Sequence, residues 1–271
     1  MKKVKMVETK SKMLCVSLIL IFAISVGSVH ADDTLEISPR IDIPLLAATG
    51  GVGAGIALIR AERFIPVDFK GQKQLINPID RPFAGIYRPE AAGISDATLA
   101  ATILASPVFL AFTHNQPNSF VDGLFLVTES FAICNFLLQI TKTAVSRPRP
   151  LMYADDLPFR QRARADNFLS FFSGHAAVSF SFATTTTMVF AASDLENSLK
   201  AATAATSFSL ATATAILRVA AGKHFITDVV SGALIGVATS MIVIELHKKV
   251  PQRRLTQGEG SATVFSLSLP L

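Results

Sequence analysis

Three clusters of basic and polar residues lie between residues 142 and 228: K-T-A-V-S-R-P-R-P (142–150), F-S-G-H (172–175) and R-V-A-A-G-K-H-F-I-T-D (218–228). The chain around them is rich in apolar residues, where isolated charges are costly to bury. Together the clusters offer cations, two histidines, a carboxylate and a Ser-Gly turn. This set of groups suits a phosphoryl group, an anion that needs many hydrogen-bond donors and a nucleophile.

The composition of the chain resembles that of membrane proteins more than that of soluble ones. Apolar residues make up 50% of the 271 residues, charged residues 17%, and the mean hydropathy is +0.46. The net charge is +5, but the body of the chain has no lysine-rich blocks with interleaved aromatic residues. We therefore expect no nucleic-acid partner. The positive balance fits an anionic lipid surface or a phosphate substrate.

The chain divides into four parts. Residues 1–31 are predicted to be a signal peptide, because five early lysines precede an apolar run at 13–26 and a cut-site pattern ends at Ala31. An uncleaved anchor helix is the alternative. Residues 32–95 form an N-terminal segment, 96–249 the helical core, and 250–271 a tail. Beyond the signal the chain has one cysteine, Cys134, so no disulfide is expected, which is compatible with a bacterial periplasmic or inner-membrane setting.

Five apolar segments of the core are predicted to be α-helices of roughly the ~20 residues that span a hydrocarbon core. They are residues 97–113, 120–140, 174–192, 201–217 and 229–246. Residues 43–59 are also apolar, but Pro44 and four glycines make this stretch a poor helix. The predicted fold is all-α: a membrane-embedded bundle of about five to six apolar helices. If segment 120–140 lies in a bilayer, its polar residues, Glu129 among them, must face other protein. A soluble periplasmic helical bundle remains the alternative.

The charge distribution predicts the topology. Basic residues follow the last apolar segment, at 247–254, and such a cluster is expected in the cytoplasm. Counting back through five spans places all three clusters on the periplasmic side, provided that residues 43–59 do not cross. The protein is therefore expected in the bacterial inner membrane with its site facing the periplasm.

In the first cluster, Pro148 and Pro150 end the preceding helix and fix the turn that carries Arg149. Arg149 offers planar bidentate donors to phosphate oxygens, and Lys142 offers a point charge. Considered without the other two clusters, this segment has an alternative interpretation, a basic cluster that contacts lipid headgroups.

In the second cluster, Ser173 and Gly174 open an apolar helix. Ser is a favoured N-cap, and free amides at a helix start bind phosphate oxygens. His175 could donate a proton to a leaving oxygen. A capped helix with an incidental histidine is the alternative.

In the third cluster, His224 and Asp228 are four residues apart, so on a helix they would share one face and form a hydrogen bond. Such a bond fixes the tautomer and leaves the other ring nitrogen as a nucleophile or base. Arg218 precedes this pair, and Gly222 provides a bend into the helix start. A plain surface pair or a metal site would be alternatives, but no further ligand pattern accompanies the pair, so no metal is expected.

The three clusters resemble the signature of the type 2 phosphatidic acid phosphatase superfamily, K-x(6)-R-P, P-S-G-H and S-R-x(5)-H-x(3)-D. The matching residues are Lys142, Arg149, Ser173, Gly174, His175, Arg218, His224 and Asp228. Two positions depart from the signature, because Phe172 replaces its proline and Leu217 replaces its serine. These departures put rate and substrate preference in question more than activity.

The resemblance implies a helical bundle with a metal-independent phosphatase site at one end. His224 would attack phosphorus, Asp228 would orient it, and His175 would protonate the leaving alkoxide. Lys142, Arg149, Arg218, Ser173 and the Gly174 amide would hold the phosphoryl oxygens. No cofactor is implied. A membrane-facing site favours a lipid phosphate or diphosphate as substrate; a soluble acid phosphatase, a vanadium haloperoxidase and a lipid-binding protein without activity are the alternatives.

Overall fold

The computed structural model describes residues 35–61, 73–113 and 120–248. Within these ranges the chain consists of helices joined by turns and loops, and the one β-contact is an isolated bridge between Leu35 and Lys248. The predicted all-α fold is confirmed. The predicted signal peptide at 1–31 and tail at 250–271 lie outside the described residues.

Seven α-helices and five short 3-10 helices form the described structure. The α-helices are α1 (Pro39–Ala61), α2 (Pro89–Leu110), α3 (Phe120–Val145), α4 (Phe159–Arg162), α5 (Gly174–Ala191), α6 (Asn197–Ala220) and α7 (Ile226–His247). The 3-10 helices are Lys73–Leu75, Arg81–Phe83, Ala111–Thr113, Pro150–Tyr153 and Ala165–Phe168. Helix α2 begins earlier than the predicted residue 97, at Pro89, because proline is well suited to the first position of a helix.

The prediction that residues 43–59 form a poor helix is wrong, since the whole stretch lies within α1. Helix α1 packs against α3, and Gly53 lies against Asn135 and Phe136 of that helix. Tertiary packing therefore outweighs the low helix propensity of proline and glycine here.

Helix α5 forms the centre of the bundle. It packs against α2, α3, α6 and α7, and nearly all of its residues are buried. Its hydroxyl groups pair with those of the surrounding helices: Thr185 with Ser130 at 3.1 Å, Thr186 with Ser106 at 2.9 Å and Ser181 with Ser240 at 3.0 Å. A helix rich in Ser and Thr thus occupies the protein interior, where partners satisfy several of its hydroxyl groups, although Thr184 Oγ1 and Thr187 Oγ1 make no hydrogen bond in the described part of the chain.

Four helical segments of the described chain are long and apolar enough to cross a membrane: Pro39–Ile59, Pro89–Thr113, Phe120–Tyr153 and Ile226–His247. Helices α5 and α6 occupy the predicted segments 174–192 and 201–217, but they are not among the four. Large apolar side chains such as Leu58, Leu104 and Ile242 are exposed on the outer helices. These surfaces are those expected of helices that contact lipid.

Helices α2, α5 and α7 run in one direction and α1, α3 and α6 in the opposite direction, so their ends gather at two poles of the bundle. At one pole α2, α5 and α7 begin and α3 and α6 end, and there the three sequence clusters meet. At the other pole α1 begins and α7 ends, joined by the bond from Glu36 N to His247 O at 2.8 Å.

Candidate active site

The first cluster forms the turn that follows α3. Helix α3 ends at Val145, and Ser146 takes a left-handed conformation with φ of 45° before Arg147 and Pro148 lead the chain away. Arg149 N then donates to Asn167 O at 2.8 Å. The predicted helix stop is confirmed, and it fixes the backbone that carries Arg149.

Gly222 makes the turn between α6 and α7. Its φ is +71°, and a Cβ at this position would lie 1.8 Å from Ile86 O, so no other residue fits. Leu151 N donates to Gly222 O at 3.0 Å. The predicted bend is confirmed, and it connects the third cluster to the first.

His224 lies in this turn and is only 1% exposed. Its Nδ1 donates to Ser170 O at 2.8 Å, because a carbonyl can only accept, and Nε2 is left for chemistry. The predicted hydrogen bond to Asp228 is not formed: Nδ1 lies 3.9 Å from Asp228 Oδ2. The reason is that His224 precedes α7, which Phe225 caps, so the pair does not share a helix face.

Asp228 is buried and accepts three hydrogen bonds. They come from Ser170 Oγ at 2.6 Å, Phe225 N at 2.8 Å and Arg147 Nη1 at 2.5 Å. The carbonyl of the same Ser170 accepts the hydrogen bond from His224 Nδ1. Ser170 therefore connects Asp228 to the histidine. Ser170 was not among the predicted site residues.

Arg147 bridges Asp228 to a second buried carboxylate, Asp80, at 2.8 Å. Its guanidinium also lies 4.4 Å from the centre of the Phe225 ring. Burial by itself would raise the pKa of Asp80, but donors from Arg147, Thr227 and Asn77 outweigh it and hold that pKa below its ordinary value. Asp80 lies in the Pro-rich stretch before the core, where no sequence signal marked it.

His175 and Arg218 are joined by Asp96 of α2. Asp96 Oδ1 lies 2.8 Å from His175 Nε2 and 3.0 Å from Arg218 Nη1. Burial, followed by the charge of Arg218, lowers the pKa of His175 to about 4. Asp96 was not among the predicted site residues either, although its side chain is 63% exposed at the mouth of the site.

Two arginines of the clusters are buried with incomplete hydrogen bonding. Arg149 forms a bidentate pair with Asp166, at 2.8 and 2.9 Å, and Arg218 bonds to Asp96. The Nε atoms of Arg149 and Arg218 are buried without a hydrogen-bond partner in the described part of the chain. Unsatisfied buried donors of this kind are rare, so they mark a place where an anion can bind.

The cations act electrostatically on His224. Burial, followed by the charges of Arg149, Arg218 and Lys142, lowers the pKa of His224 well below its ordinary value. Lys223 belongs to the same cluster, because burial, Arg149 and Arg218 lower its pKa in turn. The histidine is therefore neutral at neutral pH, as a nucleophile must be.

The comparison with known proteins agrees with this geometry. The family model of the PAP2 superfamily matches residues 123–252, a range that contains all three clusters. This match supports the PAP2 superfamily as the family of the chain. No curated protein and no solved structure matches the chain. Members of the PAP2 superfamily are phosphatases, which supports a hydrolase.

The second PAP2 cluster opens α5 as predicted. Ser173 is the N-cap, its Oγ accepts from Ala176 N at 3.4 Å, and its own N donates to Asp228 O at 2.9 Å. Gly174 follows in the first turn, where a Cβ would lie 2.8 Å from Leu138 Cδ2.

The two departures from the PAP2 signature have different surroundings. Phe172, which replaces the proline, is fully buried against Cys134, Leu138 and Ala177, so packing fixes the entry to α5. Leu217 is half-buried on α6 beside Arg218 and supplies no polar group to the site.

Proposed function

We propose that this protein is a metal-independent phosphatase that hydrolyses a lipid phosphate or diphosphate monoester through a phosphohistidine intermediate. The observation that carries the proposal is the pair of unpartnered guanidinium Nε atoms, on Arg149 and Arg218, beside the buried neutral His224. A phosphoryl group is the anion that completes these donors and also reacts with a nucleophile.

Substrate binding uses the positive charge of the cluster. Phosphoryl oxygens accept hydrogen bonds from Arg149 and Arg218 and are attracted by Lys142, whose charge acts on both histidines. Ser173 and the Gly174 amide lie at the start of α5, where donors and the helix dipole favour an anion. The same donors stabilise the charge that develops in the transition state.

In the first chemical step His224 Nε2 attacks phosphorus, a P–N bond forms and the bond to the leaving oxygen breaks. His175 gives its proton to that oxygen. Burial and the charge of Arg218 keep the pKa of His175 low in the site without substrate, but a bound phosphate adds negative charge nearby and raises this pKa. Substrate binding thereby protonates the acid that the step needs.

In the second step His175, now neutral, takes a proton from water. The oxygen of that water attacks phosphorus, the P–N bond breaks and phosphate leaves. His224 keeps its orientation throughout through the bond to Ser170 O. The fixed cations supply the charge stabilisation that a metal ion provides in other phosphatases, so no cofactor takes part.

The position of the site supports a lipid substrate. Four described helical segments are long and apolar enough to cross a membrane, and the site lies at one end of the bundle that they form. A phosphate headgroup at the membrane surface would meet the cations there. The basic residues at 247–254 follow α7, which ends at the opposite pole, and favour a cytoplasmic position for that pole and a periplasmic position for the site, in the inner membrane. Because α1 is long and apolar enough to cross and begins at that same pole, this orientation requires the chain to enter α1 from the cytoplasm, which a cleaved signal at residues 1–31 would not allow.

The experiment that tests the proposal is a phosphate-release screen with the full chain, purified in detergent and assayed in EDTA. Phosphatidic acid, phosphatidylglycerophosphate, undecaprenyl diphosphate and p-nitrophenyl phosphate cover the lipid and soluble classes. We expect release from a lipid substrate, inhibition by vanadate and an acid-labile phosphoenzyme. Release from p-nitrophenyl phosphate but from no lipid would indicate a broad-range soluble-type phosphatase, and bromide oxidation by the vanadate-loaded protein without hydrolysis would indicate a haloperoxidase.

The proposed orientation has its own test. Intact spheroplasts should hydrolyse a phosphate ester that cannot cross the membrane. Hydrolysis that appears only after the membrane is broken would place the site in the cytoplasm.

A further inference from the structure

A second cluster of ionisable side chains lies at the pole opposite the active site. Asp42 of α1, Glu129 of α3 and His247, the last residue of α7, are all buried, and one ligand atom of each lies within 4.8 Å of the others. Helix α7, 22 residues long, separates this cluster from the active site by about 33 Å at 1.5 Å per residue. The reaction described above makes no use of it.

The ring of His247 is fixed so that one nitrogen faces both carboxylates. Nδ1 lies 2.7 Å from Val243 O and must carry a proton to donate to it. Nε2 lies 3.3 Å from Asp42 Oδ2 and 3.4 Å from Glu129 Oε2. In a neutral imidazole Nε2 presents a lone pair, which two carboxylate oxygens would repel, so a positive charge is needed between the three groups.

The distances favour a metal ion over a proton as that charge. Glu129 Oε2 and His247 Nε2 are buried and make no hydrogen bond in the described part of the chain, and Glu129 is only 2% exposed. A proton on Nε2 would give a charge-assisted bond of about 2.7–2.9 Å to one carboxylate. Two atoms that each lie about 2.0–2.1 Å from a tetrahedral zinc ion are about 3.4 Å apart, which matches both separations.

We propose that Asp42, Glu129 and His247 bind one divalent transition-metal ion with the properties of Zn²⁺. One imidazole nitrogen and two carboxylate oxygens are a ligand set that this class of ion accepts. The outer contacts also fit, because metal-bound histidines usually donate their other N–H to a carbonyl and Ser38 N donates to Asp42 Oδ2 at 2.6 Å.

An open cavity of about 600 Å³ beside the cluster provides access for the ion and for water. It is lined by residues that include Ser38, Pro39, His247 and Lys248. Three protein ligands leave a fourth position for water from this side. The ion joins α1 to α3 and α7, so its role is to fasten α1 to the bundle rather than to act on substrate.

The first part of the test uses the wild-type full chain without a histidine tag. After a chelator has removed bound metal, the protein is equilibrated with Zn²⁺ or Co²⁺, and the metal content is measured by mass spectrometry. We expect one ion per chain, a Co²⁺ absorption spectrum of nitrogen and oxygen ligands, and a rise in melting temperature with Zn²⁺. Absence of stoichiometric binding would mean that a shared proton holds the cluster together, and the proposal would be wrong.

The second part locates the ion with matched variants. Glu129→Gln removes one ligand charge, whereas Glu245→Gln makes the same change at a glutamate that is 67% exposed near the end of α7. Both variants retain all five histidines of the chain. We expect at least tenfold weaker Zn²⁺ binding and no thermal stabilisation by Zn²⁺ in Glu129→Gln, with Glu245→Gln unchanged.

Equal Zn²⁺ affinity in Glu129→Gln and in the wild type would contradict the site. Asp42→Asn serves as the second variant if Glu129→Gln does not fold, and the wild-type measurement is decisive by itself. Failure of this test leaves the phosphatase proposal untouched, since that reaction is assayed in EDTA.

Discussion

The two poles of this bundle carry buried charges of opposite sign. At the active-site pole Arg149 and Arg218 have buried Nε donors, and at the other pole Glu129 Oε2 and His247 Nε2 are buried, and none of these atoms has a hydrogen-bond partner among the described residues. Buried charges are stable only when they are paired. The first pole therefore has donors left for an anion and the second has ligand atoms left for a cation, and in each case a ligand can supply the missing partner.

The poles also differ in how their charges are held. At the active site exposed carboxylates, Asp96 and Asp166, already contact the arginines and can be displaced by substrate. At the opposite pole all three groups are buried within helices. The exposed carboxylates of the active-site pole suit a ligand that must enter and leave in each turnover. The buried groups of the opposite pole suit a ligand that stays bound.

Removal of the proposed nucleophile should have the largest effect. In the proposed mechanism His224→Asn eliminates the group that forms the P–N bond, so we expect kcat/KM to fall by at least about 10³-fold. Steady-state phosphate release and trapping of the phosphoenzyme measure the two consequences separately. His114→Asn, at a histidine that belongs to none of the three clusters, is the matched control. A phosphoenzyme that still forms in His224→Asn would assign the nucleophile to another residue.

The unpartnered Nε atoms should account for the next largest effect. Arg149→Lys or Arg218→Lys retains the positive charge but removes the Nε donor, so we expect kcat/KM to fall by about 10²-fold. Arg160→Lys makes the same change at an exposed arginine of α4 and should stay close to wild type. If the two cluster variants also stay close to wild type, charge alone binds the phosphoryl group.

The sequence predicted the active-site pole well because its groups lie in short, spaced motifs. The N-cap Ser173, the bend at Gly222 and the end of α3 before Pro148 all follow from local backbone rules, and the structure has them. The contact between His224 and Ser170 could not be predicted, because helical spacing assumed that α7 began earlier than Ile226.

The remaining features depend on residues far apart in the chain. Asp80 and Asp96 reach the site from regions without a motif, and Asp42 meets His247 only because α1 packs on the bundle. That helix was itself predicted as a poor one from Pro44 and its glycines, since propensity does not include packing against α3. No local pattern encodes these contacts.

Arg147 offers a test of how the active-site pole tolerates an unpaired buried charge. Arg147→Met leaves Asp80 and Asp228 as neighbouring buried carboxylates, so we expect the unfolding free energy to fall by about 3–5 kcal/mol. Thermal unfolding in detergent measures the change, with Arg160→Met as the exposed control. A variant as stable as wild type would show that water or another cation replaces the guanidinium.

Acid should destabilise the same pole. The pKa of His175 is about 4 in the folded chain against 6.5 for an unperturbed histidine, because burial and Arg218 disfavour the charged ring. Between these pH values the unfolded chain binds more protons, so stability is full above about pH 6.5 and declines as the pH falls toward 4. Melting temperatures across this window should fall less steeply in His175→Asn than in wild type. An unchanged slope in His175→Asn would assign the decline to His224 or to other groups.

The smallest effect is expected at Asp96, whose carboxylate occupies Arg218 Nη1 and His175 Nε2 in the unliganded site. A phosphate oxygen that approaches Arg218 meets this exposed like charge, which contributes on the order of 1 kcal/mol in a water-rich setting. Asp96→Asn should therefore bind inorganic phosphate about threefold to fivefold more tightly as a product inhibitor. The kcat should fall at the same time, because Asp96 raises the pKa of His175 and its loss weakens the proton supply.

Asp156→Asn changes an exposed carboxylate of the loop before α4 and should alter neither quantity. Weaker phosphate binding in Asp96→Asn would mean that this carboxylate positions Arg218 for substrate instead of competing with it, and the contrast between a displaceable counter-charge at one pole and a permanent ligand at the other would then no longer hold.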